Sequence, residues 1–116
     1  DIENGVLHMK TEHEEQREFV MWMRQNHGEA RIFAIPNGGH RNLSVAARLK
    51  VEGVSPGVPD LYIPKWKIWV EMKREKGGVV SDKQKDWIEY LTEQCGDTVI
   101  VAHGCEDAKE RIIECL

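Results

Sequence analysis

The sequence predicts an α/β fold in which a mixed β-sheet is flanked by helices, and three observations carry that prediction. Two Ser/Thr-x-x-Glu/Gln boxes, Thr11 to Glu14 and Ser81 to Gln84, each open a stretch of apolar residues at helical spacing. Between them, β-branched and aromatic runs lie on both sides of Pro64-Lys65-Trp66-Lys67 and form a hairpin. The second strand of that hairpin, the helix led by Ser81 and a further apolar strand then follow one another, the order of a βαβ unit with right-handed crossover.

In chain order, Phe19, Val20, Trp22 and Met23 give the first helix its apolar stripe, and Gly28 lies beyond its end. Arg31 to Ile35 is a short strand closed by Pro36, and Asn37-Gly38-Gly39-His40-Arg41-Asn42 is too polar and glycine-rich for regular structure. Ser44 is placed to cap a brief helix containing Val45, Ala46, Ala47, Leu49 and Val51, with Gly53 as its stop. The hairpin spans Asp60 to Lys73, and Gly77-Gly78 breaks the chain after it. Trp87, Ile88 and Leu91 form the inward face of the helix led by Ser81, with Gly96 as terminator. Thr98 to Ala102 reads as a buried strand, and Ala108, Ile112 and Ile113 mark a closing helix. The order is α-β-(α)-β-β-α-β-α.

One hundred and sixteen residues suffice for one core, so a single domain over residues 9–116 is expected, with 1–8 a leader or expression scar outside it. No run approaches the roughly 20 apolar residues of a membrane helix, and no signal-peptide pattern is visible, which points to the cytoplasm. Cys95, Cys105 and Cys115 are odd in number and ten apart, unlike a zinc site or a secreted disulfide scaffold, and read as reduced packing residues. The five histidines contain no His-x-x-x-His pair.

The chemistry gathers in the hairpin. A turn centred between Lys65 and Trp66 places Asp60 opposite Glu71, with Cβ atoms roughly 4.5–5.5 Å apart. Strand alternation sends Glu71 and Lys73 to one face and Ile68, Val70 and Met72 to the other. Two carboxylates so placed repel, and a hard divalent cation with its preference for oxygen ligands removes the repulsion. The Met72 carbonyl, between two such neighbours, is a further candidate ligand. Net charge is −4, which alone would disfavour a nucleic-acid partner. Its distribution reverses that: Arg31 to Lys76 holds nine Lys or Arg against four Asp or Glu, a balance of +5, and the remainder seven against sixteen, a balance of −9.

Gly57-Val58-Pro59-Asp60, Glu71-Met72-Lys73 and Ser81-x-x-Gln84, in αβββαβ order, resemble the PD-(D/E)xK nuclease superfamily with its restriction-endonuclease-like core. Glu12-x-x-x-Gln16, Ile35-Pro36-Asn37-Gly38-Gly39 and Ala46-Ala47-x-Leu49-Lys50-x-Glu52-Gly53 narrow the resemblance to the small standalone phage and bacterial form of the VRR-NUC family, the virus-type replication-repair nucleases. The resemblance implies a magnesium- or manganese-dependent endonuclease acting on structured DNA in a bacterial or phage-infected cell. Standalone members are similar to Holliday junction resolvases and work as homodimers on four-way junctions.

By that likeness Glu12 is the first-helix acid of the metal site with Asp60 and Glu71, while Glu15, three residues on and on the same helix face, is the alternative. Lys73 would stand beside the attacking water or the scissile phosphate. Gln84 is explained by its capping box, and the family pattern adds a role in orienting Lys73 or contacting the backbone. Asn37, Gly38, Gly39 and Arg41 are candidate DNA contacts, because glycines admit a phosphate to the backbone; His40 is a weaker one. Trp66 and Trp69 are either base-stacking platforms or packing residues, the latter preferred. The competing functions are a flap or nick endonuclease and a non-catalytic DNA-binding module.

Overall fold

The computed structural model describes residues 2–3, 6–7, 9–36 and 42–116, with backbone only for the first four of these. Ile2–Glu3 (β1) and Val6–Leu7 (β2) pair with each other in a separate two-stranded sheet. The main sheet has four strands in chain order: Phe33–Ala34 (β3), Leu61–Ile63 (β4), Ile68–Lys73 (β5) and Thr98–His103 (β6). The first three run antiparallel and β6 runs parallel to β5, the mixed sheet expected.

Register follows from the turn. Leu61 pairs with Val70, Tyr62 with Trp69 and Ile63 with Ile68, so the hairpin is centred between Lys65 and Trp66. One face of the sheet presents Leu61, Ile63, Val70, Met72, Ile100 and Ala102, all buried. Against it pack Phe19 and Met23 from Glu12–Asn26 (α1), and Ala108 and Ile112 from Cys105–Cys115 (α4). Fully burying such a side chain contributes about 1.5–3 kcal/mol for the larger ones, so this face holds the fold together.

The crossover from β5 to β6 is Asp82–Glu89 (α3), which widens into a π-helical turn at Tyr90–Gln94 and ends before Gly96, at φ +71°. Of the expected inward face of α3, Leu91 is buried and Trp87 and Ile88 are half-buried. The short helix Leu43–Val51 (α2) starts two residues earlier than expected. Asn42 is its N-cap, its Oδ1 accepting from the Val45 N–H at 2.9 Å and from the Ser44 hydroxyl at 2.8 Å, so Ser44 supports the cap rather than forming it. The edge strand β3 is two residues long, because only Phe33 and Ala34 find ladder partners on β4. Cys105 packs in the core as expected; Cys95 and Cys115 are exposed free thiols. Among the described residues no helix is long and apolar enough to cross a membrane.

Candidate active site

Asp60 enters β4 from a loop anchored at Gly57. That glycine, at φ +95°, lies so close to α3 that a Cβ on it would stand 2.7 Å from the Lys83 carbonyl carbon and oxygen. Any side chain would push the loop off the helix, and with it Asp60 away from Gln84. The Asp60 Oδ2 accepts a 2.8 Å hydrogen bond from the Met72 N–H, which ties the carboxylate to the neighbouring strand. Because the N–H and C=O of one strand residue leave toward the same edge, the Met72 carbonyl also faces the Asp60 side.

Glu71 continues the hairpin register to the position opposite Asp60. α1 brings Glu12 to the same place: as the first residue after the Thr11 cap it projects from the helix N-terminus. Carboxylate oxygens of Glu12, Asp60 and Glu71 all lie within 4.8 Å of one another, with Glu12 exposed, Asp60 half-buried and Glu71 buried. Glu15 is placed differently. One turn deeper, 5% exposed, its Oε1 accepts from the Cys105 N–H at 3.1 Å. It serves as the N-terminal cap that Gly104 lacks a side chain to provide for α4.

Lys73, 5% exposed, donates from Nζ to Gln84 Oε1 at 2.9 Å and lies 3.5 Å from Glu71 Oε2. Gln84 closes the expected capping box and also contacts Lys73 and Glu71. Its Oε1 accepts from the Ser81 N–H at 2.8 Å, closing the capping box, and from Lys73; its Nε2 donates to Glu71 Oε2 at 3.0 Å. The cap therefore fixes which end of the amide faces lysine and which faces glutamate.

Glu71 Oε1 is buried without a hydrogen-bond partner, although Oε2 has two cationic or N–H neighbours. Burial pushes the Glu71 carboxyl up to about 8, with the charge of Asp60 adding to the rise and Lys73 opposing it. Burial also raises Asp60, against the Met72 N–H and Lys73. Three carboxylates converging within 4.8 Å, one of them buried and with an oxygen lacking a hydrogen-bond donor, fit a hard cation with oxygen ligands. Without one, the pair keeps a proton at neutral pH.

The candidate DNA contacts Asn37, Gly38, Gly39 and Arg41, with His40, lie outside the described residues. Trp66 is not at the site. It lies at the turn, the opposite end of the hairpin from Glu71, where its ring meets His27 edge-on at 5.4 Å beside the core. Trp69 shares the Glu71 face by alternation, but its Nε1 donates to Asp97 at 3.0 Å and its ring lies 4.2 Å from that of Tyr62. A cavity of about 500 Å³ bounded by Lys10, Glu18, Glu75, His103 and Glu110 includes none of the three acids. Capping chemistry was the sequence signal for Gln84, whereas the close approach of Gly57 to α3 joins segments remote in sequence and has none.

The family model of the VRR-NUC domain matches residues 2–106. A solved structure described as a VRR_NUC domain protein is similar over 95% of this chain and 91% of its own, with 26% identity and a TM-score of 0.78. No curated protein matches the chain.

Proposed function

The chain belongs to the VRR-NUC domain family, a nuclease-type family, and from that premise we propose that it is a divalent-metal-dependent endonuclease that cuts branched DNA, a Holliday junction resolvase working as a homodimer. The single observation that carries metal dependence is the convergence of carboxylate oxygens of Glu12, Asp60 and Glu71 within 4.8 Å of one another.

In this reading Glu12, Asp60 and Glu71 hold magnesium or manganese, with the Met72 carbonyl as a further ligand. A bound ion supplies Lewis acidity, lowering the pKa of a water and offsetting charge on the scissile phosphate. The chain's own residues do the positioning. Lys73 Nζ, the one cationic group at the acid cluster among the described residues, meets charge that develops on the phosphate oxygens. Gln84 holds that ammonium in place from the rigid first turn of α3. The Met72 N–H keeps Asp60 from swinging into solvent. The basic block from Arg31 to Lys76 draws the phosphate backbone toward the acids, and Asn37, Gly38, Gly39 and Arg41 contact it. Recognition by backbone and shape suits a branched substrate, since no base-reading motif is present in the sequence.

The test is a panel of four-way junction, flap, nicked and plain duplex DNA at one salt concentration, with magnesium, manganese or chelator. The expected result is paired symmetric nicks across the four-way junction with either ion and none with chelator. Preference for flaps or nicks would replace the resolvase assignment by the looser endonuclease one. Binding without cutting under every condition would leave a DNA-binding module.

A further inference from the structure

We infer that Gly78 is a positioning residue for Lys73, an inference that rests on the nuclease reading for the role of the Lys73 ammonium. Lys73 ends β5, and its stem is as buried as a core residue at 5% exposure. What encloses it is the backbone of the loop that leads to α3. A Cβ on Gly78 would stand 2.9 Å from the Lys73 Cβ, 3.2 Å from its Cδ and 3.4 Å from its Cγ. Three atoms of one side chain are met in succession, so the Gly78 backbone lies along the lysine stem. The requirement for glycine is contact and not conformation: Gly77, Gly57 and Gly104 have positive φ, and Gly78 does not.

A lysine stem has many rotamers, and a hydrogen bond at its tip leaves most of that freedom to be removed. Gly78 removes it from the other end. With the loop backbone against Cβ to Cδ, the stem runs in the direction that brings Nζ to Gln84 Oε1 at 2.9 Å and Glu71 Oε2 at 3.5 Å. A methyl group at Gly78 must displace either the loop or the stem, because Cβ contacts under 3.0 Å do not occur in real proteins. The loop is tethered a few residues on by the Ser81 cap, so the stem yields and Nζ moves off its two partners.

The test compares Gly78→Ala with the parent chain, and both again in a Lys73→Gly background where the stem is absent. On the proposed DNA substrate, Gly78→Ala is expected to lower the single-turnover rate constant about 10- to 100-fold, the loss a displacement of about 1 Å produces. KM for DNA and the magnesium concentration at half-maximal rate should stay at parental values. In thermal melts Gly78→Ala is expected to lower Tm by about 5 °C in the parent and by less than about 1 °C with Lys73→Gly. Equal loss of Tm in the two backgrounds, or parental cutting by Gly78→Ala, overturns the inference. Should Gly78→Ala fail to fold, recovery of folding in the double variant supports it and continued misfolding overturns it. The melts need no catalysis, so a parent chain that cuts no DNA removes the nuclease reading and leaves the packing relationship to be read independently.

Discussion

Lys73 and Gln84 are eleven residues apart and joined by a single 2.9 Å hydrogen bond, the ammonium donating to the same amide oxygen that closes the α3 capping box. A helix cap and a tether for the Lys73 ammonium thus share one atom. The amide nitrogen of Gln84 reaches Glu71, so one side chain sets the spacing between the buried acid and the buried base.

Gln84 substitutions should separate the two duties. Gln84→Ala removes cap and tether together: stability is expected to fall by about 1 kcal/mol and the cleavage rate by roughly 10- to 100-fold. Gln84→Glu keeps an acceptor for the Ser81 N–H and for Lys73 but places a carboxylate against Glu71 Oε2. Its melting temperature should stay near parental at low pH and fall as pH rises. Urea titration and single-turnover kinetics measure both.

Glu71 sets a pH dependence whose sign is opposite to that of an ordinary salt-bridged acid. Its folded carboxyl is raised from 4.5 to about 8, so between those values the folded chain holds a proton that the unfolded chain has released. The metal-free protein should therefore be most stable below pH 4.5 with respect to this group, and lose on the order of a few kcal/mol as pH rises through about 8. Magnesium or manganese should restore Tm at pH 8 and have little effect at pH 5. Melts across pH with and without the ion check this, and a metal-free Tm that climbs from pH 5 to 8 because of this group contradicts it.

Glu71→Gln should raise metal-free stability at pH 8, since it removes the charged form of a buried group whose Oε1 lacks a partner. The same change should abolish cutting and weaken divalent-ion binding by calorimetry at least tenfold. Asp60→Asn and Lys73→Ala are expected to abolish cutting with the fold retained, as seen by circular dichroism.

Glu12 and Glu15 should part company although they share a helix face. Glu12→Gln is expected to lose activity at parental stability, because its side chain is exposed and reaches the acid cluster. Glu15→Ala leaves the buried Cys105 N–H without an acceptor and should destabilise by about 1–3 kcal/mol. Its folded fraction should cut at a near-parental rate.

Local signals were sufficient for much of this fold. The hairpin register is a consequence of turn position and period-two alternation, and so the facing of Asp60 and Glu71 could be read from residues 60 to 73 alone. The two capping boxes announced α1 and α3 with their first residues. Where sequence reading erred, a competing local partner decided: the helix begins at Leu43, so Asn42 stands at the cap position and its Oδ1 accepts from the Val45 N–H, while Ser44 lies inside the first turn.

The amino-acid order by itself determined the main helices and strands, the hairpin register and the facing of Asp60 and Glu71, since each depends on interactions between residues near one another in the chain. Tertiary structure alone decided that Glu12 meets Asp60 and Glu71 while Glu15 caps α4, that Gln84 links Lys73 to Glu71, and that Gly78 lies along the lysine stem. Those relationships depend on how α1, the hairpin and α3 pack, and the contacts that set packing join segments whose separation along the chain carries no periodic or spacing signal.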